Sequence, residues 1–124
     1  MGYYTRFELV VHEGTANLDA VHVALDKAMD YPHEDSPFEV DGDRIISSDS
    51  IKWYDHDEDC AEMSKHFPGV VFKLHGMGEE TGDLWEAYYK EGKCQICRVQ
   101  LTYAKYDLTK LKSVREAQKE DPGR

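Results

Sequence analysis

The stretch from Lys52 to Gly92, KWYDHDEDCAEMSKHFPGVVFKLHGMGEETGDLWEAYYKEG, constrains the fold more than any other part of the chain. Asp55 stands where a helix N-cap is wanted, and Glu58 three residues on gives the pattern of a capping box. Asp57, Glu58 and Asp59 crowd the first turn, where the helix macrodipole favours negative charge by about 0.3–1 kcal/mol each at exposed sites. Cys60, Met63, Ser64 and Phe67 form an inward stripe, Lys65 and His66 fall in the last turn, and Pro68-Gly69 ends the helix. The period then changes to two. Val70, Phe72 and Leu74 alternate with Val71, Lys73 and His75, as in a half-buried strand. Gly76 to Asp83 is a Gly-rich acidic turn whose glycines can supply positive φ. Leu84–Lys90 is the next strand and Glu91-Gly92-Lys93 a tight turn. The pattern is a fold signature and carries no catalytic motif.

Before this stretch, Thr5, Phe7, Leu9 and Val11 share one face of a strand, with Tyr3 leading them, and Arg6, Glu8, Val10 and His12 share the other. Thr15 or Asn17 can cap a helix over Leu18–Met29, in which Val21, Ala24, Leu25 and Ala28 face a core. His22 lies beside that stripe and reads as a solvent-facing or partly buried structural histidine, with a ligand role as the weaker alternative. Asp30–Pro37 is a polar connection, and Phe38-Glu39-Val40, Asp41-Gly42-Asp43 and Arg44-Ile45-Ile46 make a hairpin over about 38–47. Asp41, Asp43 and Asp49 lack the spacing of a calcium loop. After the turn at Gly92, Cys94–Tyr103 reads as a last strand with Cys97, Val99, Leu101 and Tyr103 on the core face. Asp107–Lys119 reads as a tail or short helix with Leu108, Leu111 and Val114 on one side.

Strand, helix, hairpin, helix and three strands in that order predict an α+β fold. The expected form is a ferredoxin-like sandwich, with a mostly antiparallel sheet, two helices on one face and the hairpin as an addition. One domain over 1–106 and a tail over 107–124 fit a chain of 124 residues.

Lys52-Trp53-Tyr54-Asp55, His66-Phe67-Pro68-Gly69-Val70-Val71-Phe72, Gly78-Glu79-Glu80-Thr81-Gly82-Asp83-Leu84-Trp85, Tyr89 and Gly92-Lys93 together resemble a pattern in small uncharacterised phage and prophage proteins. The layout is also similar to the ferredoxin-like domain at the end of some larger phage and pathogenicity-island proteins. The resemblance covers about residues 51–95. It implies the α-β-β core and a mobile-element origin, and it brings no catalytic residues.

Charge narrows the function classes. Residues 1–50 hold 11 acids and 3 bases, residues 51–90 hold 9 and 4, and residues 91–124 hold 5 and 8, within a net charge of −10. An acidic body argues against direct binding of a phosphate backbone. It suits a partner protein with a basic surface. No run is long enough to span a membrane. The opening residues lack a signal-peptide layout, and Arg6 stands where a myristoylation motif has Ser or Thr, so a cytoplasmic protein is expected, in the host cell if phage-encoded. Cys94-Gln95-Ile96-Cys97 lies in a strand-like run, where residues three apart face opposite ways. Buried or half-buried thiols are expected there, with no metal and no cofactor.

Two constellations follow. Asp55, Asp57, Glu58 and Asp59 open a helix, and Glu79, Glu80 and Asp83 lie in the turn after the next strand, at what should be the same end of the layer. Glu34, Asp35, Asp41 and Asp43 extend the acidic surface. With the phage resemblance, this points to a small inhibitor that occupies a basic, nucleic-acid-binding groove of a host or defence protein, as an anti-CRISPR protein does. The alternative is the open sheet face, where Arg6, His75, Glu86, Tyr88 and Arg98 converge on an anionic small molecule or nucleotide, with His75 and Glu86 as an acid–base pair. A homodimer through Tyr3, Tyr4, Tyr88 and Tyr103 is the third expectation.

Overall fold

The computed structural model describes residues 4–80 and 82–121. Tyr3 and Thr81, both named above, lie outside the described residues. The elements are β1 (Thr5–Glu13), α1 (Leu18–Ala28), β2 (Phe38–Asp41), β3 (Arg44–Ser47), α2 (His56–Ser64), β4 (Val71–Gly78), β5 (Leu84–Lys90), β6 (Lys93–Arg98) and α3 (Val114–Glu120). Short 3₁₀ turns fall at His33–Asp35 and Leu108–Lys110. The fold is α+β, with one six-stranded sheet in the order β2-β3-β1-β4-β5-β6. Every neighbouring pair of strands is antiparallel.

Period-two alternation sets the inner face. Phe7 and Leu9 of β1, Ile45 of β3, Phe72 and Leu74 of β4, and Trp85, Ala87 and Tyr89 of β5 are buried together. Val21 and Leu25 of α1 and Cys60 and Met63 of α2 join the same cluster, and the two helices pack against each other. Phe38 and Trp53 close one side, with ring centroids 5.1 Å apart and edge-on.

The turns follow from their residues. The β2–β3 loop is Gly42-Asp43, between the paired Asp41 and Arg44, with Gly42 at φ +65° as the first central residue of a tight hairpin turn. The β5–β6 loop is Glu91-Gly92, with φ of +49° and +84°, so both central residues are left-handed as a type I′ turn demands.

Several expected details are corrected. β4 runs on to Gly78, so Gly76 is a strand residue and not part of the turn. It faces Trp85 across the ladder, and a Cβ there would sit 2.3 Å from the indole ring. Glycine at 76 is a space requirement of Trp85. α2 ends at Ser64, and Lys65, His66 and Phe67 continue as a tighter turn bonded three residues back. Asn17 caps α1 through its side chain, as expected, but Asp55 makes no side-chain cap bond to α2.

β6 departs most from expectation. Its turn pairs Lys90 with Lys93, which places Trp85 opposite Arg98 and Glu86 opposite Cys97. Cys94, Ile96 and Arg98 are therefore on the helix side, and Cys97 is on the open face, the reverse of the expected parity. The strand stops at Arg98 because its partner strand starts at Leu84; Val99 N–H still reaches Leu84 O at 3.0 Å, Leu101 and Tyr103 lie beyond the ladder, and all three are exposed. Residues 99–121 are all exposed. Leu108, Leu111 and Val114 do not share one helix, because only Val114–Glu120 is helical there beyond the 3₁₀ turn.

Candidate functional site

The acids at the start of α2 are tied to buried aromatic side chains. Trp53 Nε1–H donates to Asp59 Oδ2 at 2.8 Å. The Tyr89 hydroxyl donates to Asp57 Oδ1 at 2.6 Å, and His56 Nδ1 lies 3.1 Å from the same oxygen. Both aromatic partners are core residues, so these carboxylates satisfy polar atoms that folding takes out of water. Partial burial raises the Asp59 pKa above the usual carboxylate value, helped by the neighbouring Asp55 and Glu58 charges and opposed by the Trp53 bond. Burial, then Asp57 and Glu58, also pushes the Cys94 thiol up. Asp55 and Glu58 are exposed.

The β4–β5 turn is tied down in a similar way. Glu79 Oε1 accepts the Tyr4 backbone N–H at 2.9 Å, and Asp83 Oδ1 accepts from Arg98 Nη1 at 3.0 Å. An open cleft lined by Trp53, Tyr54, His56, Asp83, Trp85 and Arg98 brings the start of α2 and this turn to one end of the layer. In it His56 stacks on Trp85 with centroids 4.7 Å apart. Glu80 is exposed beside the turn. Of the seven acids singled out, Asp57, Asp59, Glu79, Glu80 and Asp83 have partners within the fold.

On the open face the register places His75 between Glu8 and Glu86. His75 Nδ1 is 3.9 Å from Glu86 Oε1, and the Tyr88 hydroxyl donates to Glu86 Oε2 at 3.1 Å. His12 packs edge-on against Tyr88 at 5.0 Å. Arg6 lies farther along β1, 3.9 Å from Asp49. Arg98 is not on this face: it pairs with Asp83 on the helix side. The structure therefore joins His75, Glu86 and Tyr88 in one network and leaves Arg6 and Arg98 outside it. Pairs of this kind lace many solvated sheets.

Cys94 and Cys97 point to opposite faces, as strand geometry requires, opposite Tyr89 and Glu86 respectively. Cys60 is buried, and burial pushes its thiol well above the usual value.

One constellation escaped the sequence reading. Asp26 Oδ2 lies 2.7 Å from His33 Nδ1 and 3.3 Å from His22 Nε2, and the Ser36 hydroxyl donates to Asp26 Oδ1 at 2.8 Å. The two imidazole rings meet edge-on with centroids 4.6 Å apart. His22 and Asp26 are one helical turn apart, which was the available signal. His33 joins them only because the chain reverses after α1. Asp30 adopts φ +57°, Tyr31 N–H reaches Asp26 O at 2.8 Å and Asp30 N–H reaches Lys27 O at 3.1 Å. These are the bonds of a Schellman motif with aspartate in the usual glycine place.

Comparison with known proteins leaves the fold and these sites to speak for themselves: no protein family, curated protein or solved structure matches the chain. Among the described residues no helix is long and apolar enough to cross a membrane.

Proposed function

We propose that this protein works by binding another protein, as a phage-type accessory factor in the host cytoplasm that occupies a basic, nucleic-acid-binding surface of a host or defence protein. The observation that carries this reading is the segment after β6. Leu101, Tyr103, Tyr106, Leu108, Leu111 and Val114 are each 65–99% exposed, on a segment exposed at every residue over 99–121. So many large apolar side chains in one solvated segment exceed the scattered exposure of an ordinary surface and suit a protein interface. The exposed Asp55, Glu58 and Glu80 add negative charge at one end of the layer, suited to a basic partner. In this reading the layer is a ferredoxin-like sandwich, α1 and α2 covering one face and the β2–β3 hairpin added at an edge. The contact between the helices and their shared core support it.

Small-molecule binding on the open face is the weaker reading, because Glu86 already engages His75 and Tyr88. The test is affinity capture from a bacterial lysate with the full chain and with a chain ending at Arg98. A partner with a basic surface, enriched at least about tenfold by the full chain, is expected. Identical protein sets from both baits would contradict the proposal, and self-association in light scattering would redirect it to a second copy of this chain.

A further inference from the structure

Among the described residues Asp26 is the one buried carboxylate, 1% exposed, and its ion-pair partners are both histidines. No lysine or arginine pairs with it among those residues. A buried carboxylate held only by hydrogen bonds, with no lysine or arginine paired with it, keeps part of the cost of leaving water. A bound cation removes that cost. We propose that His22, Asp26 and His33 bind one divalent transition-metal ion of the Zn²⁺ type.

The donor atoms support the assignment. His22 Nε2, Asp26 Oδ2 and His33 Nδ1 all lie within 4.8 Å of one another. Zinc bonds of about 2.0–2.1 Å in a tetrahedron place ligand atoms about 3.3 Å apart. The His22–Asp26 separation is already 3.3 Å. The His33–Asp26 separation of 2.7 Å has to open by roughly half an ångström, and His33 is free to do so, since its side chain is 51% exposed on a 3₁₀ turn. Two imidazole nitrogens and one carboxylate oxygen suit a borderline metal such as zinc and disfavour calcium or magnesium, which take oxygen.

The surroundings fit as well. Ser36 holds the other carboxylate oxygen and so orients the Asp26 ligand atom from outside the coordination shell. A surface cleft lined by Asp26, Lys27, Asp30, Tyr31 and His33 opens onto the Asp26–His33 side of the cluster, so the fourth position would face solvent. When filled, the site ties the 33–36 turn to α1. The same atoms are satisfied in the metal-free protein by His33 N–H and Ser36 O–H donated to Asp26 and by the 2.9 Å contact of His22 Nε2 with Ser36 Oγ. Metal binding therefore moves each imidazole proton to the other ring nitrogen, in exchange for the bonds to Asp26 and Ser36, and shifts His33 slightly outward. The inference is independent of the proposed partner binding.

Calorimetric titration of the metal-free full-length chain with zinc chloride tests it. One saturable site is expected, with a rise in Tm that magnesium does not produce. His33→Ala, a change at a half-exposed position that should leave circular dichroism unchanged, is expected to weaken zinc binding at least about tenfold. Cobalt loading should give a visible d–d spectrum without thiolate charge-transfer bands. Absence of saturable zinc binding, undiminished binding by His33→Ala, or thiolate bands from Cys94 or Cys97 would each overturn the proposal.

Discussion

The Tyr89 hydroxyl and the Asp57 carboxylate meet at 2.6 Å, joining the floor of the sheet to the first turn of α2. Tyr89 is fully buried, whereas the Asp57 side chain keeps 32% of its surface. Burial, followed by Cys60 and Asp57, drives the phenol far above its ordinary pKa, so it serves as a permanent donor. Tyr89→Phe removes the donor while keeping the ring. A loss of about 1–2 kcal/mol is expected in urea unfolding, at the lower end of bonds to charged acceptors because water can reach Asp57. An unchanged midpoint would show that this bond contributes nothing net.

Gly76 and Trp85 define a second prediction. A methyl at position 76 would lie 2.3 Å from the Trp85 ring atoms, which are held between Phe7 and His56. Gly76→Ala is expected to cost at least about 2 kcal/mol through overpacking and to alter tryptophan fluorescence. Gly42→Ala meets nothing within 4 Å and suffers only the left-handed backbone at φ +65°, about 1–2 kcal/mol, with fluorescence unchanged. Equal costs with equal fluorescence would contradict the steric account.

Asp59 gives a pH dependence whose sign follows from its raised pKa. As pH rises through the ordinary carboxylate value, the unfolded chain loses its proton before the folded one does. Stability from this group is therefore full below the unfolded pKa and is lost as pH rises through the folded one. Asp59→Asn keeps an oxygen to accept from Trp53 and removes the titration. Its urea midpoint relative to the parent chain should improve between pH 4 and pH 7. A relative decline over that interval would contradict the burial argument.

Every residue of the segment over 99–121 is exposed. A chain ending at Arg98 is expected to lose only the helical signal of α3 from its circular dichroism and to melt within about 2 °C of the full chain, since surface changes away from packed features stay within about 0.5 kcal/mol. A larger drop would mean that residues 99–124 stabilise the domain.

Much of the fold was legible because its signals are local. The alternation in β1 and β5, the Asp-Gly hairpin and the Pro-Gly stop after α2 each specify structure within a few residues. β6 was misread because parity after a hairpin is fixed by the turn: Glu91-Gly92 pairs Lys90 with Lys93, and that counting moves Arg98 to the helix side. Val99 and Leu101 keep an apolar alternation, yet Val99 N–H makes the last bond to β5, at Leu84 O, and no strand residue remains beyond it. The acids of DHDED read as a cap with first-turn charges, and as part of a partner surface. Asp57 and Asp59 instead accept from Tyr89 and Trp53, a tertiary outcome no local rule supplies. The His22–Asp26–His33 cluster depended on the left-handed turn at Asp30, where glycine is the usual sign and aspartate hides it.

The central claim is that the exposed segment and the acidic end together hold a partner protein. Surface-immobilised binding of the captured partner to the full chain, to the chain ending at Arg98 and to Asp55→Lys/Glu58→Lys tests it most directly. Those two acids are chosen because Asp57 and Glu79 hold Tyr89 and Tyr4 in the fold. The account predicts at least about tenfold weaker binding for each variant, with the charge reversal losing more at low salt than at high salt. Full affinity in both variants, at either salt, would contradict it.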